Sequence, residues 1–133
     1  MSDPKTYRAW RRTTGPYPHT IKLSTETLPN ELGAHEVLVR IHAVGLNYRD
    51  MAMLKDGKYP IPVEEGGVSA SDCAAEVVAV GSEVQSFIIG DHVAPTIDSN
   101  NLTGNERNNE VISLGGNATG CSGSMLSSRR KYL

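Results

Sequence analysis

Between Glu36 and Pro95 the chain carries two apolar alternating runs, each closed by glycine, with a corner and a proline turn between them. This pattern restricts the fold more than any other feature. In Val37-Leu-Val-Arg-Ile-His-Ala-Val, the residues Val37, Val39, Ile41 and Ala43 fall on one face of a strand. Leu38, Arg40, His42 and Val44 fall on the other, and Gly45 ends the run. Asp72 to Val80 is a second strand of the same kind, closed by the turn Gly81-Ser-Glu-Val. Tyr7–Arg12 and Ile21–Thr25 read as shorter strands, and Ile88–Ala94 as a last one broken at Gly90-Asp91. Asn47 to Lys55 has helical spacing and stops at Gly57. Tyr59-Pro-Ile-Pro is extended, because proline restrains itself and its predecessor. Many short strands punctuated by Gly and Pro predict a mainly β, barrel-like domain with one or two short helices.

A chain of 133 residues fits one domain with a sizeable core. The formal net charge is −2, and basic residues cluster only at Arg11-Arg12 and Arg129-Arg130-Lys131, which argues against a nucleic-acid partner. The amino terminus is polar, and no apolar run approaches the ~18 residues of a membrane span. Cys73 and Cys121 are far apart in sequence and show no redox-pair or metal-ligand spacing. A reduced, cytoplasmic protein is expected. Asn101-Leu-Thr and Asn117-Ala-Thr match the glycosylation pattern by chance on that reading. Residues 99–110 are polar and aperiodic, as in a long surface loop. Val111-Ile-Ser-Leu followed by glycines has the look of a phosphate loop, but Gly116, Gly120 and Gly123 miss the G-x-G-x-x-G spacing.

The corner Gly45-Leu46-Asn47-Tyr48-Arg49-Asp50, the Gly-Lys-Tyr-Pro turn, the strand S-D-C-A-A-E-V-V-A-V-G and the step G-D-H-V-A-P occur in the order of a known family. The chain resembles the GroES-like N-terminal domain of the medium-chain dehydrogenase/reductases, and most of all their zinc-independent, quinone-oxidoreductase-like branch. The resemblance implies a partly open antiparallel GroES-like β-barrel over residues 1–120. It implies NADPH-dependent reduction of a quinone, enone or aldehyde. In zinc alcohol dehydrogenases a cysteine stands at the place of Asn47, and a G-H-E histidine at the place of Ser71 in Ala70-Ser71-Asp72. An amide and a hydroxyl are poor zinc ligands, so no metal is expected. His19, His35, His42 and His92 read as satisfied or solvent-facing rather than ligating.

By the same resemblance Asn47 and Asp50 face the nicotinamide end of NADPH, and Tyr59 sits at the substrate mouth. Asn47 is then both a catalytic and a cofactor-binding candidate. Two uses stay open for the first pair: hydrogen bonding at the reacting end, or capping of the helix by Asn47 with Asp50 neutralising Arg49 or Lys55. No nucleotide-binding Rossmann domain is expected to follow within the chain. Catalysis is then incomplete unless that domain comes from elsewhere, and the alternative is a truncated, non-catalytic product or small interaction module. After Gly120 the family places an outward strand of the type G-V-L-x-E-Y-A-V. Here Cys121 to Arg130 follow, and one permitted codon choice for them, shifted by one base, spells Val-Leu-Arg-Glu-Tyr-Ala-Val-Phe-Glu-Glu. Residues 121–133 are therefore expected to form an aberrant flexible tail. They would leave an open sheet edge through which chains self-associate.

Overall fold

In a computed structural model the chain is mainly β, built from six strands and one short helix among the described residues. Those residues are 5–56, 58–98, 100, 101, 103, 111–121, 123 and 125–129; for 125–129 the backbone alone is described. The elements are β1 (Thr6–Arg12), β2 (Ile21–Thr27), β3 (Glu36–Gly45), α1 (Tyr48–Ala52), β4 (Asp72–Val80), β5 (His92–Val93) and β6 (Met125–Arg129). They form two open sheets, an antiparallel β1-β2 pair and a four-stranded sheet in the order β5-β4-β3-β6. Among the described residues the sheets do not close into a barrel.

Alternation explains the core. Val37 and Val39 of β3 are fully buried, as are Val77 and nearly so Ala75 of β4, the strand beside it. Ala70, Cys73, Leu114 and Cys121 complete the cluster, with Ile41, Val80, Val84, Phe87 and Val93 packed against it. The first halves of β3 and β4 thus remove every second side chain from water, as a one-sided sheet must. Ala43 departs from the sequence expectation and is exposed. The β3–β4 register shifts between Ile41 and Ala43, so His42 becomes the extra residue of a bulge and the alternation breaks there.

The loops close on the core by backbone contact. A Cβ on Gly81 would lie 2.1 Å from the Gly33 carbonyl oxygen, so the turn after β4 can press against the loop before β3 only with glycine. The run expected as a strand over Ile88–Ala94 is cut to His92–Val93. Asp91 accepts from the Ile88 N–H and Gly90 has φ +97, so the first half is a turn. Ser113 and Leu114 make isolated bridges to Asp98 and Ala118 rather than a strand. Residues Met125–Arg129, inside the stretch read as a flexible tail, pair antiparallel with β3 from Glu36↔Arg129 to Arg40↔Met125. The outer edge of β3 is therefore occupied along half its length. Most of the polar stretch 99–110 lies outside the described residues.

The β1-β2 pair is tied by a forked ion pair. Arg11 Nε donates to Glu26 Oε1 at 2.6 Å and Nη2 donates to Oε2 at 2.9 Å, and the Ser24 hydroxyl also donates to Glu26. These bonds hold the Glu26 carboxyl down at about 2. A depressed carboxylate adds stability above its unfolded value near 4.5, and that stability is lost as pH falls toward about 2. Glu26→Gln should therefore flatten the dependence of stability on pH across this window and leave the dependence above it unchanged. Urea unfolding of both proteins at a series of acid pH values measures the slope.

Candidate functional site

The corner between β3 and α1 opens onto solvent. Leu46 is 82% and Tyr48 77% exposed, large values for apolar and aromatic side chains, and Asn47 is exposed between them. Gly45 ends β3 opposite Asp72 at the start of β4. Asn47 then takes the N-cap of α1 with extended backbone, φ −122° and ψ 160°. Its side-chain nitrogen donates to Asp72 Oδ2 at 2.7 Å, which fixes the amide across the β3–β4 start.

Asp50 accepts from two backbone amides, and its charge also favours the Arg12 guanidinium. Its Oδ2 accepts from the Asn47 N–H at 2.9 Å, the reciprocal half of a capping box. Its Oδ1 accepts from the Ala70 N–H at 3.1 Å. Neither Arg49 nor Lys55 pairs with it among the described contacts, so neutralisation of those residues is not its use. Ala70 has φ +66°, a left-handed conformation costly for a residue with a Cβ. The Asp50 carboxylate thus holds a strained residue that adjoins Ser71, itself fully buried.

Tyr59 reaches the same helix through Arg49. The Arg49 Nε donates to the Tyr59 oxygen at 3.0 Å, and the guanidinium lies 5.3 Å from the centroid of the ring. Arg49 also donates to the Leu114 carbonyl at 2.9 Å and to the Ser113 hydroxyl. The three candidate residues are therefore all joined to α1: Asn47 as its cap, Asp50 in its first turn, Tyr59 by way of Arg49. Arg49 was not singled out from the sequence, because a lone Arg in a surface helix carries no signal of facing inward. The histidines are satisfied or exposed. His19 bonds the Gly15 carbonyl through Nε2 at 2.8 Å, His42 meets Glu76 at 3.1 Å, and His35 and His92 face solvent.

The donor set does not fit zinc. Asn47 and Ser71 offer an amide and a buried hydroxyl, and no group of three or more His, Cys, Asp and Glu could hold a metal among the described residues. The fit to a dinucleotide is partial. Asn47 and Tyr59 can address a polar ring. The phosphates want a glycine-rich loop at a helix N-terminus, whereas α1, the one helix among the described residues, has five residues and an acidic first turn. No described helix is long and apolar enough to cross a membrane.

Residues 33–130 match the alcohol dehydrogenase GroES-like domain. The chain belongs to that family, the N-terminal domain of the medium-chain dehydrogenase/reductases, and to its quinone-oxidoreductase-like branch. It is 39% identical over 95 residues to a zinc-type alcohol dehydrogenase-like protein of Schizosaccharomyces pombe, covering 71% of this chain and 27% of that protein. It is 48% identical over 66 residues to a quinone oxidoreductase of Pseudomonas aeruginosa, covering 50% of this chain and 20% of the other. A crystal structure from Sinorhizobium meliloti described as an alcohol dehydrogenase superposes with a TM-score of 0.79 at 31% identity, over 99% of this chain and 39% of that one. The chain thus spans about a quarter of the length of the first of these relatives.

The hydrogen bonds rank the two corner residues for stability. Asp50→Ala removes two bonds to backbone amides, one at a strained residue, and should cost about 1–3 kcal/mol. Asn47→Ala removes one exposed side-chain bond and should cost under about 1 kcal/mol. Urea unfolding of the two variants checks the order.

Proposed function

We propose that this chain supplies the substrate-side domain of a zinc-independent, NADPH-dependent oxidoreductase that reduces a quinone, enone or aldehyde. The observation that carries the reading is the solvent-open corner where Asn47 is locked by Asp72 and Tyr59 is locked by Arg49. Both are neutral hydrogen-bonding groups held by a charged partner. The family match and the relation to a quinone oxidoreductase support it.

When bound, NADPH supplies the hydride. The chain's own part is to orient the acceptor and to stabilise the oxygen that gains charge. Asn47 uses one amide hydrogen on Asp72, which sets the plane of the group and leaves its second hydrogen and its carbonyl for a polar ring. Arg49 donates into the Tyr59 oxygen, so the phenol hydrogen is left to donate to a substrate oxygen. Asp50 acts through the cap and through Ala70 and is a positioning residue. The pyrophosphate is held outside the residues described here, by the larger part of an enzyme of this family. The substrate is a small molecule, and the working compartment is the cytoplasm.

Titration of the isotope-labelled chain with reduced nicotinamide mononucleotide, followed by amide NMR shifts, tests the reading. Weak, millimolar shifts confined to Leu46–Asp50 and Tyr59, lost in Asn47→Ala, are expected. Shifts elsewhere, or none, would refute the nicotinamide face. Micromolar NADPH affinity would refute the placement of the phosphates outside the chain.

A further inference from the structure

The β1-β2 ribbon and the second half of β3 wall an open groove of about 540 Å3. On the ribbon side Trp10 and Leu23 are register partners, and Ile21 stands two residues along β2 on the same face. On the far side the bulge at His42 breaks the alternation, and four successive residues from Ile41 to Val44 border the groove. Leu46 extends that wall beyond the strand. Trp10, Ile21 and Leu23 each keep 44–46% of their surface in water. Apolar area left wet in one concave site, rather than scattered, marks a binding surface. Volume and shape are those of a small-molecule cleft. The charge of the lining has one sign. Arg8 sits two residues from Trp10 on the same face of β1, and no carboxylate lines the groove among the described residues. The other ionisable lining group, His42, already meets Glu76 at 3.1 Å. Gly123 bridges to Ala9 beside Arg8 and adds no side chain, so that end stays open.

We propose that this groove binds an amphipathic anion with a straight apolar chain of medium length, in chemistry a fatty carboxylate. The chain lies over Trp10, Leu23 and Ile21 against Ile41 and Val44, and the carboxylate meets Arg8. Register sets the length. Ile21 pairs with Arg12, four residues along β1 from Arg8. The row from Arg8 to Ile21 therefore runs about 13 Å, the reach of a medium alkyl chain. Charge sets the head group, because a guanidinium beside an apolar wall without carboxylates favours an anion over a neutral or cationic end. Burying the chain removes apolar surface from water on both partners, which supplies the driving force. The site is independent of the proposed reductase chemistry, because neither Asn47 nor Tyr59 lines it.

Trp10, the chain's one tryptophan, reports on the groove directly. The test titrates the full chain with decanoate below its micellar range, and separately with decanol, and follows Trp10 emission. A saturable one-to-one blue shift is expected with decanoate, and binding of decanol weaker by roughly threefold or more. Leu23→Glu puts a carboxylate in the apolar row and should abolish the decanoate response. Arg8→Gln should bring decanoate down to the affinity of decanol and leave decanol unchanged. No saturable shift in the wild type, or equal affinity for the two probes, would overturn the proposal, and so would decanoate binding unchanged by Leu23→Glu. A blue shift that grows with protein concentration alone, with a dimer in sedimentation, would give the groove to a second copy of the chain and overturn it as well. The wild-type comparison of the two probes decides even if a variant fails to fold.

Discussion

The Arg12 guanidinium, 3% exposed, lies where three separate stretches of chain meet. Its Nη1 donates to the Gly115 carbonyl at 2.7 Å and to the Ser69 hydroxyl at 3.4 Å, and rests 3.8 Å from the Met53 sulfur. Its Nη2 donates to the carbonyls of Glu64 at 3.0 Å and Gly116 at 3.1 Å. The carboxylates of Glu64 and Asp50 lie near enough to favour its charge, though no salt bridge to it is among the described contacts, and Nε has no partner. Burial accordingly pulls its pKa below the ordinary value, though an arginine so placed remains charged. A buried cation is tolerated only when its protons find acceptors, and here backbone carbonyl dipoles supply most of them. The arrangement makes β1, the 64–69 segment and the 113–116 turn conditional on one another. Gly67 is part of that condition, since a Cβ there would lie 2.6 Å from Nη2.

That junction positions the candidate site from below. The Glu64 N–H and Arg12 Nη2 share the Gly116 carbonyl, and the same 113–116 turn receives Arg49 through Leu114 and Ser113. Arg49 in turn places Tyr59. On the other side, Ala70 is held by Asp50, and Asp50 holds the Asn47 end of α1. The two neutral groups proposed to meet a substrate thus stand on a frame of two arginines and two aspartates, Asp50 and Asp72. Rigid support of this kind is what pre-organised hydrogen bonding requires.

The strands that bury one face were legible because their period is local. β4 spans Asp72–Val80 as read from the alternation, and β3 differs at its ends by a residue. The corner was legible through the order of its motifs. What sequence could not express were pairings across long separations. Nothing near Arg12 marks it as buried, since a second arginine beside it forms an ordinary surface ion pair with Glu26. Cys73 and Cys121 share one core cluster although they lie far apart in sequence, and the close lie of Gly120 along Ser69 is packing that no local pattern records. The bulge at His42 likewise depends on the register of β4, and it moves Ala43 to the surface. Asp50 was read as a corner residue, and its hydrogen-bond partners among the described contacts are two backbone amides that no side-chain pattern records.

Native-state hydrogen exchange of Arg12→Lys against the wild type tests the Arg12 junction most directly. Lysine keeps the charge and loses the fork that reaches several acceptors at once. The account predicts that the amides of Glu64, Gly67, Gly116 and Gly120 lose protection together, by roughly tenfold or more, as expected when about 1.5 kcal/mol or more of linked hydrogen bonding is removed. Protection unchanged within about twofold in either the 64–69 or the 115–120 segment would contradict it, because the two would then be stable without the guanidinium that joins them.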